Sequence, residues 1–141
     1  MSSSHILVGI GTPEAGQKLV EPIGRMAKRL DAKVLLVHVT NTCESDDEES
    51  EALRQGLETL AVVAGELNDK GIETQLSMPF DNDVAAAIDR AAVENQCTMI
   101  VLGLTGQQVL TRLISGDVPG NIIRKAQIPV FLYPPDWDGS L

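Results

Sequence analysis

Five short runs of aliphatic and β-branched residues, separated by segments with helical spacing of apolar residues, constrain this chain more than any other feature. The runs occupy residues 5–10, 33–39, 72–78, 98–102 and 129–133. The first, second and fourth are almost continuously apolar, the pattern of strands buried on both faces. The third alternates Ile72, Thr74, Leu76 and Met78 with Glu73, Gln75 and Ser77, which suits a strand at a sheet edge. Strand–helix alternation of this kind predicts a parallel sheet with right-handed crossovers and helices on both faces. The expected fold is a single three-layer, doubly wound α/β domain with a five-stranded parallel sheet, Rossmann-like, in the order β-α-β-α-β-α-β-α-β.

The intervening segments carry helix signals. Thr12-Pro13-Glu14 supplies an N-cap hydroxyl, a proline at the first helical position and an acid in the first turn. Leu19, Val20, Ile23, Met26, Ala27 and Leu30 follow on one face, with Pro22 inside the pattern predicting a kink or a late start. Glu44, Asp46, Asp47, Glu48, Glu49 and Glu51 place six negative charges within eight residues. They read as a solvated loop leading into a helix whose apolar stripe starts at Ala52 and ends at Lys70-Gly71. Asp81-Asn82-Asp83 offers caps to a helix with Val84, Ala87, Ile88, Ala91 and Ala92 on one face. Gly116-Asp117 opens a last helix reaching about Ala126. Residues 1–4 are expected to be a loose tail, 5–133 the domain, and 134–141 a polar C-terminal tail with an exposed Trp137.

Composition narrows the function classes. The 141 residues suit one domain, and aromatics at 3% make the core aliphatic. A net charge of −9 argues against nucleic acid or an anionic membrane surface as partner. No apolar run is long enough to span a bilayer and no secretory leader is visible, so a soluble, cytoplasmic protein is expected. The acidic run lacks the alternate spacing and glycine turn of a calcium loop. The two cysteines form no CxxC pair. Cys43 follows a strand and Cys97 precedes one, roughly 15 Å or more apart by strand rise, beyond disulfide reach.

In open parallel sheets ligands bind outside the carboxyl ends of the strands, where strand order reverses. That rule selects residues 9–12, 39–42, 78–81 and the segment from 103 onward. The last is the most informative: a strand ending in Gly103, then Gly106, then nine residues to Gly116 at a helix start. Glycines let backbone N–H groups approach an anion, and a helix N-terminus adds partial positive charge, a combination that suits phosphate. Arg112 could reach the same phosphate, and Thr12 and Thr105 place hydroxyls at that edge. Phe80 offers either a stacking ring or packing. His5 lies at the opposite edge, and His38 reads as a satisfied sheet histidine. No nucleophile sits beside a histidine in a recognisable motif, and no Gly-x4-Gly-Lys-Ser/Thr exists, so catalysis is not expected.

The order of elements, the Gly103-x2-Gly106-x9-Gly116 spacing, and the flanking segments Met99-Ile-Val-Leu-Gly103 and Ile128-Pro-Val130 resemble the universal stress protein family. The resemblance runs from about His5 to Tyr133. It implies an adenine nucleotide alpha-hydrolase-like fold and a non-catalytic regulatory or stress-response module. It also implies ATP or AMP, with Mg2+, at a site formed by Ile10, Gly11, Thr12, Val39, Gly103, Thr105, Gly106, Arg112, Gly116 and Asp117. A homodimer through the last strand, with Val130, Phe131, Leu132 and Tyr133 at the interface, is implied as well. The chain departs from the nucleotide-binding pattern in four places. Gly11 stands where an aspartate usually helps hold the nucleoside, and Asp117 stands where a hydroxyl usually donates to phosphate. Thr98 replaces an aspartate before the fourth strand, and Met78-Pro79-Phe80 replaces a glycine after the third. An ionised carboxylate cannot donate to phosphate, although magnesium could bridge the two, and Asp117 also suits a helix N-cap. The alternative is a dimerisation or interaction module without nucleotide, such as the cytoplasmic regulatory domain of a transporter. A weak ATPase is a third reading.

Overall fold

The computed structural model describes residues 4–11, 13–40, 45–103, 118–134 and 137–140. The strands are β1 (Ser4–Gly9), β2 (Ala32–Val37), β3 (Thr74–Ser77), β4 (Met99–Gly103) and β5 (Val130–Tyr133), and the described helices are α1 (Pro13–Leu30), α2 (Asp46–Asp69), α3 (Val84–Glu94) and α4 (Val118–Lys125). All pairings are parallel, in the order β3-β2-β1-β4-β5. The expected α/β doubly wound fold is therefore present, and β3 is at an edge as its alternation predicts.

Period-two alternation along the strands builds two cores. Ile6, Val8, Val34, Leu36 and Val101 face α1 and α2, where they meet Leu19, Ile23, Met26, Leu60, Val63 and Leu67. Leu7, Leu35, Val37, Ile100 and Leu102 face α3 and α4, whose contribution is small: Ala85, Ile88, Ala91, Ala92 and Ile122. On this second face the large side chains come chiefly from the sheet.

Two local readings change, at the start of α2 and at Trp137, and one, at Pro22, is narrowed. The helix α2 begins at Asp46, so Asp46, Asp47, Glu48 and Glu49 of the acidic run form its first turn rather than a loop before it, and Glu44 lies outside the described residues. Ser45 is the N-cap, its hydroxyl accepting from the Glu48 N–H at 3.2 Å. Ser45-x-x-Glu48 has the spacing of a capping box, and Asp46, Asp47, Glu48 and Glu49 meet the positive end of the helix dipole. The helix α1 runs through Pro22 from Pro13 without a late start. Trp137 is half-buried, packed on β5. Other signals read as expected. Asp83 caps α3 through the Ala86 N–H. Gly71 has φ +85, and the Ile72 N–H returns to the Leu67 carbonyl to close α2.

His5 and Thr98 tie the amino edge together. The Thr98 N–H donates to the His5 carbonyl at 2.8 Å, and the His5 N–H donates to the Thr98 hydroxyl at 3.0 Å. The His5 ring is buried, with Nδ1 donating to the Asn95 carbonyl at 3.0 Å and Nε2 without a partner among the described residues. Burial lowers its proton affinity below the ordinary 6.5; the Asn95 carbonyl and Glu73 oppose that shift, and Lys33 adds to it. The folded chain thus binds fewer protons here than the unfolded chain. Stability is complete above about pH 6.5 and falls as pH drops below it. Urea midpoints measured from pH 7.5 to 5 are expected to decline through this window, and His5→Gln is expected to flatten that decline. A wild-type midpoint constant over the range would contradict it. Cys97 is buried nearby, and burial pushes its thiol up to about 11, so it is poorly suited to oxidation. Cys43 lies outside the described residues.

Candidate functional site

The strand pairings locate a crevice. The β1–β4 register ends at Val8↔Val101, whereas β1 continues with β2 to Gly9↔Val37 and β4 continues with β5 to Gly103↔Tyr133. Beyond Val8 and Val101 the two halves of the sheet are no longer paired with each other. This is the point where strand order reverses, the position at which such sheets take ligands.

Gly11 stands at the mouth of the crevice. It is exposed, and a Cβ built on it would meet no described atom within 4 Å. Among the described residues, nothing fills the place of a side chain there. Ile10 is only 3% exposed, and its side chain belongs to the core beneath. Its backbone is committed as well: the N–H donates to the Val37 carbonyl at 2.9 Å, and the carbonyl accepts from His38 Nδ1 at 2.9 Å. His38 is thus the satisfied histidine that its place in the sequence suggests. Val39 is half-buried against the second core just past β2.

On the far side of the crevice, Gly103 ends β4 under the ring of Tyr133. A Cβ on Gly103 would fall 2.7 Å from the Tyr133 hydroxyl oxygen and 2.8 Å from Cζ. Glycine at 103 is therefore required by this packing, whatever its relation to phosphate. Burial raises the Tyr133 phenol well above its ordinary range. Thr12, Thr105, Gly106, Arg112, Gly116 and Asp117 lie outside the described residues. Within those described, the structure brings Gly11, Val39 and Gly103 to one edge and takes the Ile10 side chain away from it.

The departures from the family pattern do not share one place. Thr98 precedes β4 and bonds to His5 at the amino edge, a whole strand away from the crevice. Met78-Pro79-Phe80 does lie at the carboxyl edge, where it continues the pairing of β3 with β2. The Thr40 N–H donates to the Pro79 carbonyl at 3.0 Å, and the Asp81 N–H donates to the Thr40 carbonyl at 2.8 Å. Phe80 forms a parallel backbone bridge to Thr40 and is half-buried. Gly56 allows α2 to close over this corner: a Cβ there would be 3.0 Å from the Met78 sulfur and 3.1 Å from His38 Cδ2. Asp81 accepts from the Asp83 N–H and pairs with Arg90 at 3.0 Å, which together hold its carboxyl below the usual range. A separate surface groove of about 370 Å³ lies between α1 and α2, lined by Gln17, Val20, Glu21, Glu66, Asp69 and Lys70. It adjoins the C-terminal end of α2, not the strand ends. Among the described residues no three acidic, histidine or cysteine side chains are grouped to hold a metal, and no helix is long and apolar enough to cross a membrane.

An open parallel sheet with a glycine-bounded crevice at its switch point defines a Rossmann-like α/β protein. The profile of the universal stress protein family matches residues 3–134, and the chain belongs to that family. Solved structures agree on the fold. A universal stress protein family member from Burkholderia pseudomallei superposes with a TM-score of 0.75 at 20% identity, covering 94% of this chain and 96% of that one. The universal stress protein from Archaeoglobus fulgidus in complex with dAMP gives 0.69 at 20% identity, covering 94% and 98%. A family protein from Arabidopsis thaliana with AMP bound gives 0.66 at 17% identity, covering 98% and 96%. Among curated proteins none matches the sequence.

Proposed function

We propose that this chain is a non-catalytic regulatory module that takes an adenine nucleotide in the crevice between β1 and β4, with AMP favoured over ATP. The observation that carries this reading is the separation of the two half-sheets beyond Val8 and Val101, which places Gly11, with no described atom within 4 Å of a Cβ, and Gly103, under the Tyr133 ring, on the two sides of the switch point. Two relatives of the same fold bear dAMP and AMP, which supports the ligand class. In this reading Gly11 and Thr12 face the nucleoside, Val39 lies against the base, and the Gly103-x2-Gly106-x9-Gly116 segment with Thr105 and Arg112 cradles the phosphate. Asp117 disfavours a longer phosphate chain, since a carboxylate adds a like charge and no donor. ATP then needs Mg2+ to bridge it, whereas AMP does not.

A homodimer through β5 belongs to the same reading. It is an outer strand, paired only with β4 among the described residues, and so presents a main-chain edge that a second copy could extend. Val130 and Leu132 would flank that edge, while Phe131 and Tyr133 are engaged by Trp137 of the same chain. The regulatory role acts, in this proposal, in the cytoplasm.

The test is nucleotide content followed by titration. Denatured protein is expected to release AMP, and calorimetry is expected to show AMP binding more tightly than Mg-ATP. Gly106→Val is expected to weaken AMP at least tenfold. The same sample is expected to sediment as a dimer at low micromolar concentration. Empty protein that also ignores both nucleotides would reject the ligand, and a clean monomer would reject the β5 pairing.

A further inference from the structure

The residues after β5 form a seated turn. Trp137 packs its ring 5.1 Å from that of Phe131 and 5.2 Å from that of Tyr133, centroid to centroid. Its Nε1–H donates to the Ser140 carbonyl at 3.2 Å, and the Ser140 N–H donates to the Asp138 carboxylate at 2.9 Å. The turn is fastened to α1 at two points. Arg25 Nη1 donates to the Asp138 carbonyl at 2.9 Å. Gly139 is buried against Pro22: its φ is +88, and a Cβ on it would lie 2.7 Å from Pro22 Cα and 2.9 Å from the Pro22 carbonyl oxygen. Both the backbone angle and the contact require glycine at 139. The chain has two phenylalanines, one tyrosine and one tryptophan. Three of these four rings meet at this corner, far more aromatic packing than the rest of the chain contains.

The corner leads directly to the crevice. Trp137 backs Tyr133, and Tyr133 lies over the α-carbon of Gly103, where β4 ends. The contacts therefore run without a break from Pro22 and Arg25 through 137–140 to Tyr133 and Gly103. We propose that residues 137–140 are a latch: seated on α1, they hold Tyr133 down on Gly103 and restrain the carboxyl end of β4. In its purpose this rests on the nucleotide reading, because a ligand entering between β1 and β4 must share the space above Gly103 with the Tyr133 ring. Opening the latch then raises nucleotide affinity, and by linkage nucleotide loosens the latch.

The test uses full-length chains and does not depend on ligand at its first step. Gly139→Val unseats the turn without altering β5 or the crevice, and Trp137, the single tryptophan, reports the seating. Its emission is expected to shift to longer wavelength in the variant. Amide hydrogen exchange at Leu102 and Gly103 is expected to quicken at least tenfold, with Leu35 and Leu36 in β2 unchanged. Trp137→Ala, which removes the ring contact alone, is expected to give the same exchange result should Gly139→Val fail to fold. Shifted emission with unchanged exchange at Gly103 would overturn the latch, and so would unshifted emission. AMP is then titrated into wild type and Gly139→Val, with at least threefold tighter binding expected in the variant. Equal affinities would overturn the link to the crevice. Absence of AMP binding in every chain would reject the nucleotide reading, while the exchange comparison still decides the latch.

Discussion

Replacing Ile100 with alanine is expected to lower the unfolding free energy by about 2–5 kcal/mol, toward the upper part of the range for buried aliphatic truncations. Ile100 is fully buried in the middle of β4, with Leu7 beside it on β1 and Val130 on β5. Its side chain points to the face covered by α3 and α4. The α3 side of that core is built largely from Ala85, Ala91 and Ala92, with Ile88 the longer exception. Alanine has no rotamer with which to reach into a vacated space, so the α3 side, Ile88 apart, can fill the cavity left by Ile100→Ala only by movement of the helix. Domains of this size have about 5–15 kcal/mol of stability in total, so the loss is a large fraction of it. In urea the midpoint should fall by about 1–2.5 M for a slope of about 2 kcal/mol per M. Val93→Ala on the same side is the control: Val93 is 67% exposed, and its change should stay within about 0.5 kcal/mol. A shift for Ile100→Ala no larger than for Val93→Ala would mean that this face is not packed as described.

The same physics explains which parts of the structure were legible in the sequence. Strands buried on both faces leave long apolar runs, so β1, β2 and β4 were readable to within about two residues, and the alternation in β3 correctly placed it at an edge. The start of α2 was not read, because an apolar stripe begins where a helix meets the core, at Ala52, while the helix itself starts two turns earlier on solvent-facing acids. The signal was present in Ser45-x-x-Glu48, a local cap that carries no hydrophobic pattern. The C-terminal tail was misread for a related reason. A turn rich in polar residues has the composition of a loose end, yet Gly139 against Pro22 and one tryptophan are enough to seat it. Neither contact has a sequence period: Gly139 meets Pro22 more than a hundred positions away, and Trp137 folds back on Phe131 and Tyr133 through an irregular turn. At the site, the location of the crevice was legible because topology alone dictates it. The role of each residue was not. A glycine at the end of β4 serves the Tyr133 packing as well as any approach to phosphate, and Thr98 bonds to His5 at the other end of that strand.

Gly11→Asp is expected to raise AMP affinity by about 10- to 100-fold. The family resemblance places an aspartate at this position in nucleotide-binding members, and this chain has only a hydrogen there. A hydrogen bond to a charged partner contributes about 1.5–3 kcal/mol, and each 1.4 kcal/mol is about a tenfold change in affinity. Two obstacles could make such a substitution fail, a clash or a strained backbone, and the described structure contains neither. No described atom lies within 4 Å of a Cβ at position 11, and Gly11 does not have the left-handed backbone angle found at Gly71 and Gly139. The carboxylate would stand beside the Ile10 carbonyl that His38 already holds, so the local main chain is fixed before ligand arrives. Stability should change little, because Gly11 is exposed and packs on nothing described. Calorimetric titration of wild type and Gly11→Asp with AMP, alongside their urea midpoints, separates the outcomes. Tighter binding at equal stability would place the nucleoside at the end of β1. Unchanged binding to a chain that does bind AMP would move the nucleoside elsewhere along the carboxyl edge. If neither chain binds, then supplying the missing carboxylate does not make this crevice a nucleotide site, and the function must be sought on the β5 edge and its partners.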